Sequence, residues 1–200
     1  MGAGATALDS LDGVEGPASP WAVLVTGLAG GCAPGLRSAD VVVGDPVDTL
    51  SPTLGRGDAD SRLRARAVRA LVAAGLRYRV GPLLTVDAVV ATPAAKAVWW
   101  QTRGALAVDM ESGHVLAWAR RAGLPAMAIR AIADGPDDEV PRELLEMVDA
   151  GGRVRAASVA GFLARPGLVG PAWRLARQSR EALGSLARFV QAFVDHPDDP

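Results

Sequence analysis

Between residues 21 and 135, short apolar runs alternate with segments of helical spacing, and that alternation leaves few folds open. "WAVLVTGL" (21–28) is a continuous apolar run ending in glycines, the pattern of a buried strand. "GLAGG" then reads as a tight turn, with Gly27, Gly30 and Gly31 allowing backbone angles and close approaches that a side chain would block. "ADVVVGD" (39–45) is a second strand-like run, and residues 46–59 are turn-rich. "SRLRARAVRALVAAGLRY" (61–78) has helical spacing and a basic outer face, with Gly75 near its end. "GPLLTVDAVVAT" (81–92) reads as strand, and "PAAKAVWWQTRG" (93–104) as a helix with Pro93 in its first turn and Gly104 after its end. "ALAVDM" (105–110) reads as strand, "ESGHVLAWARRAG" (111–123) as helix, and "LPAMAIRAIADG" (124–135) as strand again. Strands alternating with helices predict an α/β fold whose sheet is largely parallel.

After residue 141 the texture becomes helical. "RELLEMVDAGG" and "RVRAASVAGFLARPG" are short helix candidates. Residues 168–194 place Leu168, Ala172, Leu175, Ser179, Leu183, Leu186, Val190 and Phe193 on one stripe, which predicts packing against the core. The expected organisation is a flexible segment over 1–20, an α/β domain over 21–165, a C-terminal helix over 166–195 and a tail over 196–200.

Charge and cysteine content exclude several functions. The formal net charge is −1, so no broad basic field invites nucleic acid. Cys32 is the only cysteine, which rules out an internal disulfide and a cysteine-based zinc cluster. His114 and His196 lie too far apart for a metal motif, so no metal or cofactor is expected. No apolar run is long enough to cross a bilayer, and the N-terminus lacks the pattern of an export signal. A cytoplasmic location is expected.

"AVDMESGH" (107–114) carries the chemistry. It places Asp109 and Glu111 where a buried strand ends, although carboxylates are seldom buried unless paired or working. In open α/β sheets, ligands collect beyond the C-terminal strand ends. Three such ends carry "TGLAGG", "VDMES" and "RAIADG". They offer a glycine turn with free backbone donors, Glu111, Arg130 and Asp134. Spacing alone leaves two alternatives, a ligand site or a plain structural pair between Glu111 and Arg130.

At these residues the sequence resembles purine nucleoside phosphorylases and nucleosidases of the methylthioadenosine nucleosidase type. "TGLAGGCAPGLRSADVVVGD" is similar to that family's glycine turn and following strand, and "AVDMESGHVLAWARRAGLPAMAIRAIAD" to its acidic segment and final strand. The resemblance spans about residues 21–135. A narrower likeness, extending into "DAGGRVRAASVAGFLARPGLVGPAWRLAR", is to the hopanoid-associated branch. The resemblance implies a three-layer sandwich around a central sheet with a C-terminal helical extension. It implies cleavage of the N-glycosidic bond of an adenine nucleoside, with adenosylhopane as the favoured, lipid-linked substrate. The alternatives are a methylthioadenosine or S-adenosylhomocysteine type of nucleosidase, and a non-catalytic purine-binding remnant. Purine glycosides break through a cation-like sugar while negative charge grows on the base, so an acid at N7 stabilises the leaving group. By resemblance, Asp134 is that acid, and it must keep its proton near neutral pH in an apolar or anionic setting. Glu111 matches the group that accepts the ribose hydroxyls, and its charge favours the cationic sugar. Met110 matches the residue on the sugar face, and Val89 and Val90 the base-binding segment. Arg130 matches the position that holds the incoming water or phosphate, and Gly27, Leu28, Ala29 and Gly30 the nucleophile side. A homodimer or larger assembly is also implied.

Some positions depart from the family pattern. The first β-unit is expected to be missing, which would shorten the domain at its N-terminus, expose a strand edge and open the pocket. Leu28 replaces a polar residue, Ala133 a serine before the acid, and Val89 an aromatic that stacks on the base. Trp99, Trp100 and Trp118 read as core or subunit contacts. On the last helix, Trp173, Arg174, Arg177 and Arg180 offer a peripheral membrane contact as an alternative to core packing.

Overall fold

The computed structural model describes residues 21–145 and 166–195. The expected N-terminal segment, the helix candidates over 146–165 and the tail lie outside these residues. Among the described residues there are five strands: β1 (Val23–Gly31), β2 (Val41–Thr49), β3 (Tyr78–Thr85), β4 (Ala107–Asp109) and β5 (Ala126–Asp134). The helices are α1 (Ser61–Ala73), α2 (Pro93–Arg103), α3 (Ser112–Arg121), the short α4 (Arg142–Leu145) and α5 (Val169–Asp195). A 3-10 turn, Pro166–Leu168, leads into α5.

The α/β fold with a C-terminal helix is present, but the sheet is neither open nor uniformly parallel. Its strands close in the order β1-β4-β3-β2-β5, with β5 returning to β1. The pairs β1/β5, β2/β3 and β3/β4 are parallel, whereas β1/β4 and β2/β5 are antiparallel. Closure depends on β1 serving two neighbours. Val23–Gly30 pair along β5, and Gly30 and Gly31 also pair with Val108 and Ala107 of β4. The expected exposed edge is therefore absent among the described strands.

The glycine run is strand and not a tight turn. β1 continues through Gly31, because Cys32 and Ala33 still donate to the Leu106 carbonyl and carry the chain along β4. Two other bounds also shift. The helix expected to reach residue 78 stops at Ala73, and Tyr78 already belongs to β3. The strand expected over 81–92 ends at Thr85, leaving 86–92 as a loop before α2.

Local signals explain the helix starts. The Asp60 carboxylate accepts from Arg62 N and Leu63 N, both at 3.0 Å, and so satisfies donors that α1 leaves free. The Thr92 hydroxyl accepts from Ala95 N at 3.3 Å, with Pro93 next in line. Two-residue alternation then sorts the core. Val41, Val43, Met127 and Ile129 face α1 and α5, where they meet Leu63, Leu71 and Phe189. Val42, Ala128 and Ile132 join Ala29, Val47 and Leu83 in a second cluster.

α5 packs on this core, as its periodicity predicts, but with a rotated second half. Ala182, Ser185, Leu186, Phe189 and Phe193 are buried, while Leu183 and Val190 of the expected stripe are exposed. Phe189 explains the rotation: it is wholly buried and stacks at a tilt on Phe193, 5.5 Å between ring centroids. Burying an aromatic ring outweighs burying a valine one position along.

Candidate active site

One cavity of about 180 Å³ opens between the ends of β1, β4 and β5 and the loop after β3. Leu28, Ala29, Gly30, Val89, Val90, Met110, Glu111 and Asp134 all line it. These are eight of the ten residues expected from the sequence. Val86, Ala88, Val108, Asp109 and Ala133 complete the wall. Among the described residues, no cluster of histidine, cysteine or carboxylate side chains is placed to hold a metal ion.

Asp134 reaches this wall through a bulge. Ala29 pairs with Ile132, but Gly30 pairs with Asp134, so Ala133 is an extra residue on β5. Such an insertion re-aims the side chains at a strand end, and here Ala133 and Asp134 both face the cavity. Burial raises the Asp134 pKa above its ordinary value, and the neighbouring Lys96 ammonium opposes that rise. The apolar setting expected of an acid is present, together with a cation that the sequence reading missed.

Glu111 stands at the first cap position of α3 yet makes no capping hydrogen bond with its side chain. Asp109 takes that task, accepting from Ser112 N at 3.0 Å. The Glu111 carboxylate, about half exposed, is left facing the cavity.

Arg130 and Gly27 are the two expected residues that do not line the cavity. The side chain of Arg130 is 4% exposed and that of Asp109 is 0% exposed, and the two lie 2.6 Å apart through Nη2 and Oδ2. This is an ion contact without an aligned hydrogen bond from Nη2. Arg130 Nε donates to Ser112 Oγ at 3.0 Å, and Nη2 lies 3.5 Å from Glu111 Oε2. Thr85 Oγ1 donates to Asp109 Oδ1 at 2.7 Å and accepts from Gly113 N at 2.8 Å. Asp109 is thus paired on both oxygens, as a buried carboxylate requires. The pairing behind Glu111 belongs chiefly to Asp109 and Arg130.

Gly27 makes room for that pair. A Cβ on Gly27 would lie 2.0 Å from Arg130 Nη1. Gly27→Ala must push the guanidinium off Asp109, so a loss of about 1–3 kcal/mol is expected, as for other overpacked sites. Urea unfolding should show a lower midpoint with an unchanged slope. A wild-type midpoint would mean that Arg130 is not held where it lies.

The sequence reading also missed Lys96 and left Asp109 without a role. Lys96 had one signal: it is the only charge between Asp87 and Arg103.

Fold and cavity together define an α/β protein with a cavity at its strand ends. The chain belongs to the phosphorylase superfamily, whose pattern matches residues 6–165. No curated protein matches it in sequence. Among solved structures it is similar to futalosine hydrolase of Helicobacter pylori, at 17% identity and TM-score 0.65, covering 88% of this chain and 69% of that one. It is similar to a putative 5'-methylthioadenosine/S-adenosylhomocysteine nucleosidase of Francisella philomiragia, at 18% identity and TM-score 0.65, covering 98% and 76%. It is also similar to the corresponding nucleosidase of Neisseria meningitidis in complex with methylthio-immucillin-A, at 20% identity and TM-score 0.64, covering 88% and 70%. At these identities the likeness establishes the fold.

Proposed function

We propose that this cavity cleaves the N-glycosidic bond of an adenine nucleoside. The observation that carries the reading is the convergence of Asp134 and Glu111 on one cavity from two different strands. Asp134 is the acid: its O–H protonates the purine as the glycosidic electron pair moves onto the base. Glu111 accepts the ribose hydroxyls, and its negative charge stabilises the cationic sugar. Val89 and Val90 lie along the base, Met110 on the sugar, and Leu28 to Gly30 on the side of the incoming nucleophile. Arg130 acts one layer back. It holds Asp109 and approaches Glu111, so its role is to orient that carboxylate and not to touch water or phosphate.

Two substrates follow from different observations. The likeness to the hopanoid-associated branch favours adenosylhopane. The surface of α5 is consistent with cytoplasmic work at a membrane face, since Trp173 is 67% exposed beside Arg174, Arg177 and Arg180. Among the described residues no helix is long and apolar enough to cross a membrane. The structural neighbours favour methylthioadenosine or S-adenosylhomocysteine. Adenine release should be measured on adenosylhopane and methylthioadenosine side by side, with and without phosphate. Release from either supports cleavage and selects the substrate, and phosphate dependence identifies the nucleophile. No release from either would point to a purine-binding module without catalysis.

A further inference from the structure

Helix α2 buries its one lysine more deeply than any of its apolar residues. Val98 is 50% exposed and Trp100 36%, while Lys96, the one lysine of the helix, is 0% exposed. Burying an ammonium costs several kcal/mol before its partners repay it, and burying the helix's apolar side chains would carry no such cost. Packing therefore does not account for Lys96. Its partners do. Nζ donates to the carbonyls of Gly135 and Asp138, both at 2.7 Å, and lies 2.5 Å from Asp134 Oδ2. Each of its three N–H bonds has an acceptor, and all three acceptors lie between residues 134 and 138.

We propose that Lys96 is a positioning residue for the acid, fixing Asp134 at the cavity wall and stabilising the carboxylate left when its proton passes to the purine. This rests on the cleavage reading above. In the step, the Asp134 O–H bond breaks and an N–H bond forms on the base. The glycosidic electron pair leaves with the base, water or phosphate bonds to the sugar carbon, and the proton that an attacking water sheds passes to solvent, from which Asp134 is reprotonated. Lys96 keeps its three protons throughout.

The charges around Asp134 leave this work to Lys96. Asp138 acts against it, raising the Asp134 pKa further. Asp109 and Glu111, across the cavity, are also acidic, and Arg130 is engaged with Asp109. Burial pushes the Cys32 thiol up to about 12, so it brings no charge. Asp138 itself is held by Gly135 N and by Gln178 Nε2 of α5, both at 2.9 Å.

The test follows the Asp134 carboxyl carbon by NMR across pH in the full chain, its signal assigned by its loss in Asp134→Asn. Wild type, Lys96→Met, Lys96→Gln and Lys96→Arg are compared, and purine release is measured on the same samples. The titration midpoint should move upward in the Met and Gln variants and return toward wild type in the Arg variant. The rate should fall about 10²-fold, in kcat more than KM, with the alkaline limb of activity at higher pH. If Lys96→Met does not fold, Lys96→Gln still reports, because its amide can serve the Gly135 and Asp138 carbonyls. A midpoint unchanged in a folded neutral variant would overturn the proposal. A wild type that releases no purine would sink the cleavage reading instead, and the midpoint would still tell whether Lys96 governs Asp134.

Discussion

Asp134→Asn is expected to lower the rate of the proposed purine release by about 10²–10⁴-fold, the range that a positioned general acid contributes. Asparagine keeps the shape but has no proton to give. The loss should fall on kcat, because the acid acts in bond cleavage more than in binding. The pH profile should change as well. Burial raises the Asp134 pKa, so the protonated form persists to higher pH than in an ordinary aspartate and is lost as pH rises through the raised value. Wild-type activity is therefore expected to fall on the alkaline side, and the variant's residual activity to lack that limb. Circular dichroism should show the same fold in both proteins. Near-wild-type release by the variant would remove Asp134 from the mechanism and return the cavity to a binding role.

Asp109→Ala should cost about 3–5 kcal/mol, the penalty for leaving a buried charge without its partner. Arg130 would keep its bond to Ser112 and its approach to the half-exposed Glu111, but lose its closest anion. The main-chain amide of Ser112 would also lose the carboxylate that caps α3. For a chain of this size the melting temperature should drop on the order of 10 °C. Asp109→Asn, whose single amide oxygen can still accept from Ser112 N while its NH2 meets Thr85 Oγ1, should fall between. If Asp109→Ala melted with the wild type, the buried pair would be a contact without consequence for stability.

The difference between Asp109 and Glu111 was only half legible in the sequence. "VDMES" sits at a strand end, and the resemblance pointed to Glu111, whose side chain faces the cavity. Nothing in the spacing said which acid would turn inward. That depends on Arg130, a residue distant in sequence whose guanidinium fits only because Gly27 carries no side chain. The same glycines misled the reading of local structure. Taken alone they signal a turn, but here they serve close packing inside a strand that crosses from one neighbour to another. Sheet closure was invisible for the same reason, since it is a property of pairing between strands and not of any one run. The α/β alternation and the helix start marked by Pro93 were readable because they are local. Lys96 escaped because helical spacing sorts apolar from polar residues, and α2 inverts that sorting for an electrostatic reason.

The Gln178 bond to Asp138 ties α5 to the segment that follows the proposed acid. Lys96 grips the carbonyl of Asp138, and α5 grips the same residue's carboxylate. A disturbance of α5 thus has a short route to the proposed proton donor. Crowding at α5, whether by a substitution or by whatever rests on Trp173, would tune turnover without ever entering the cavity.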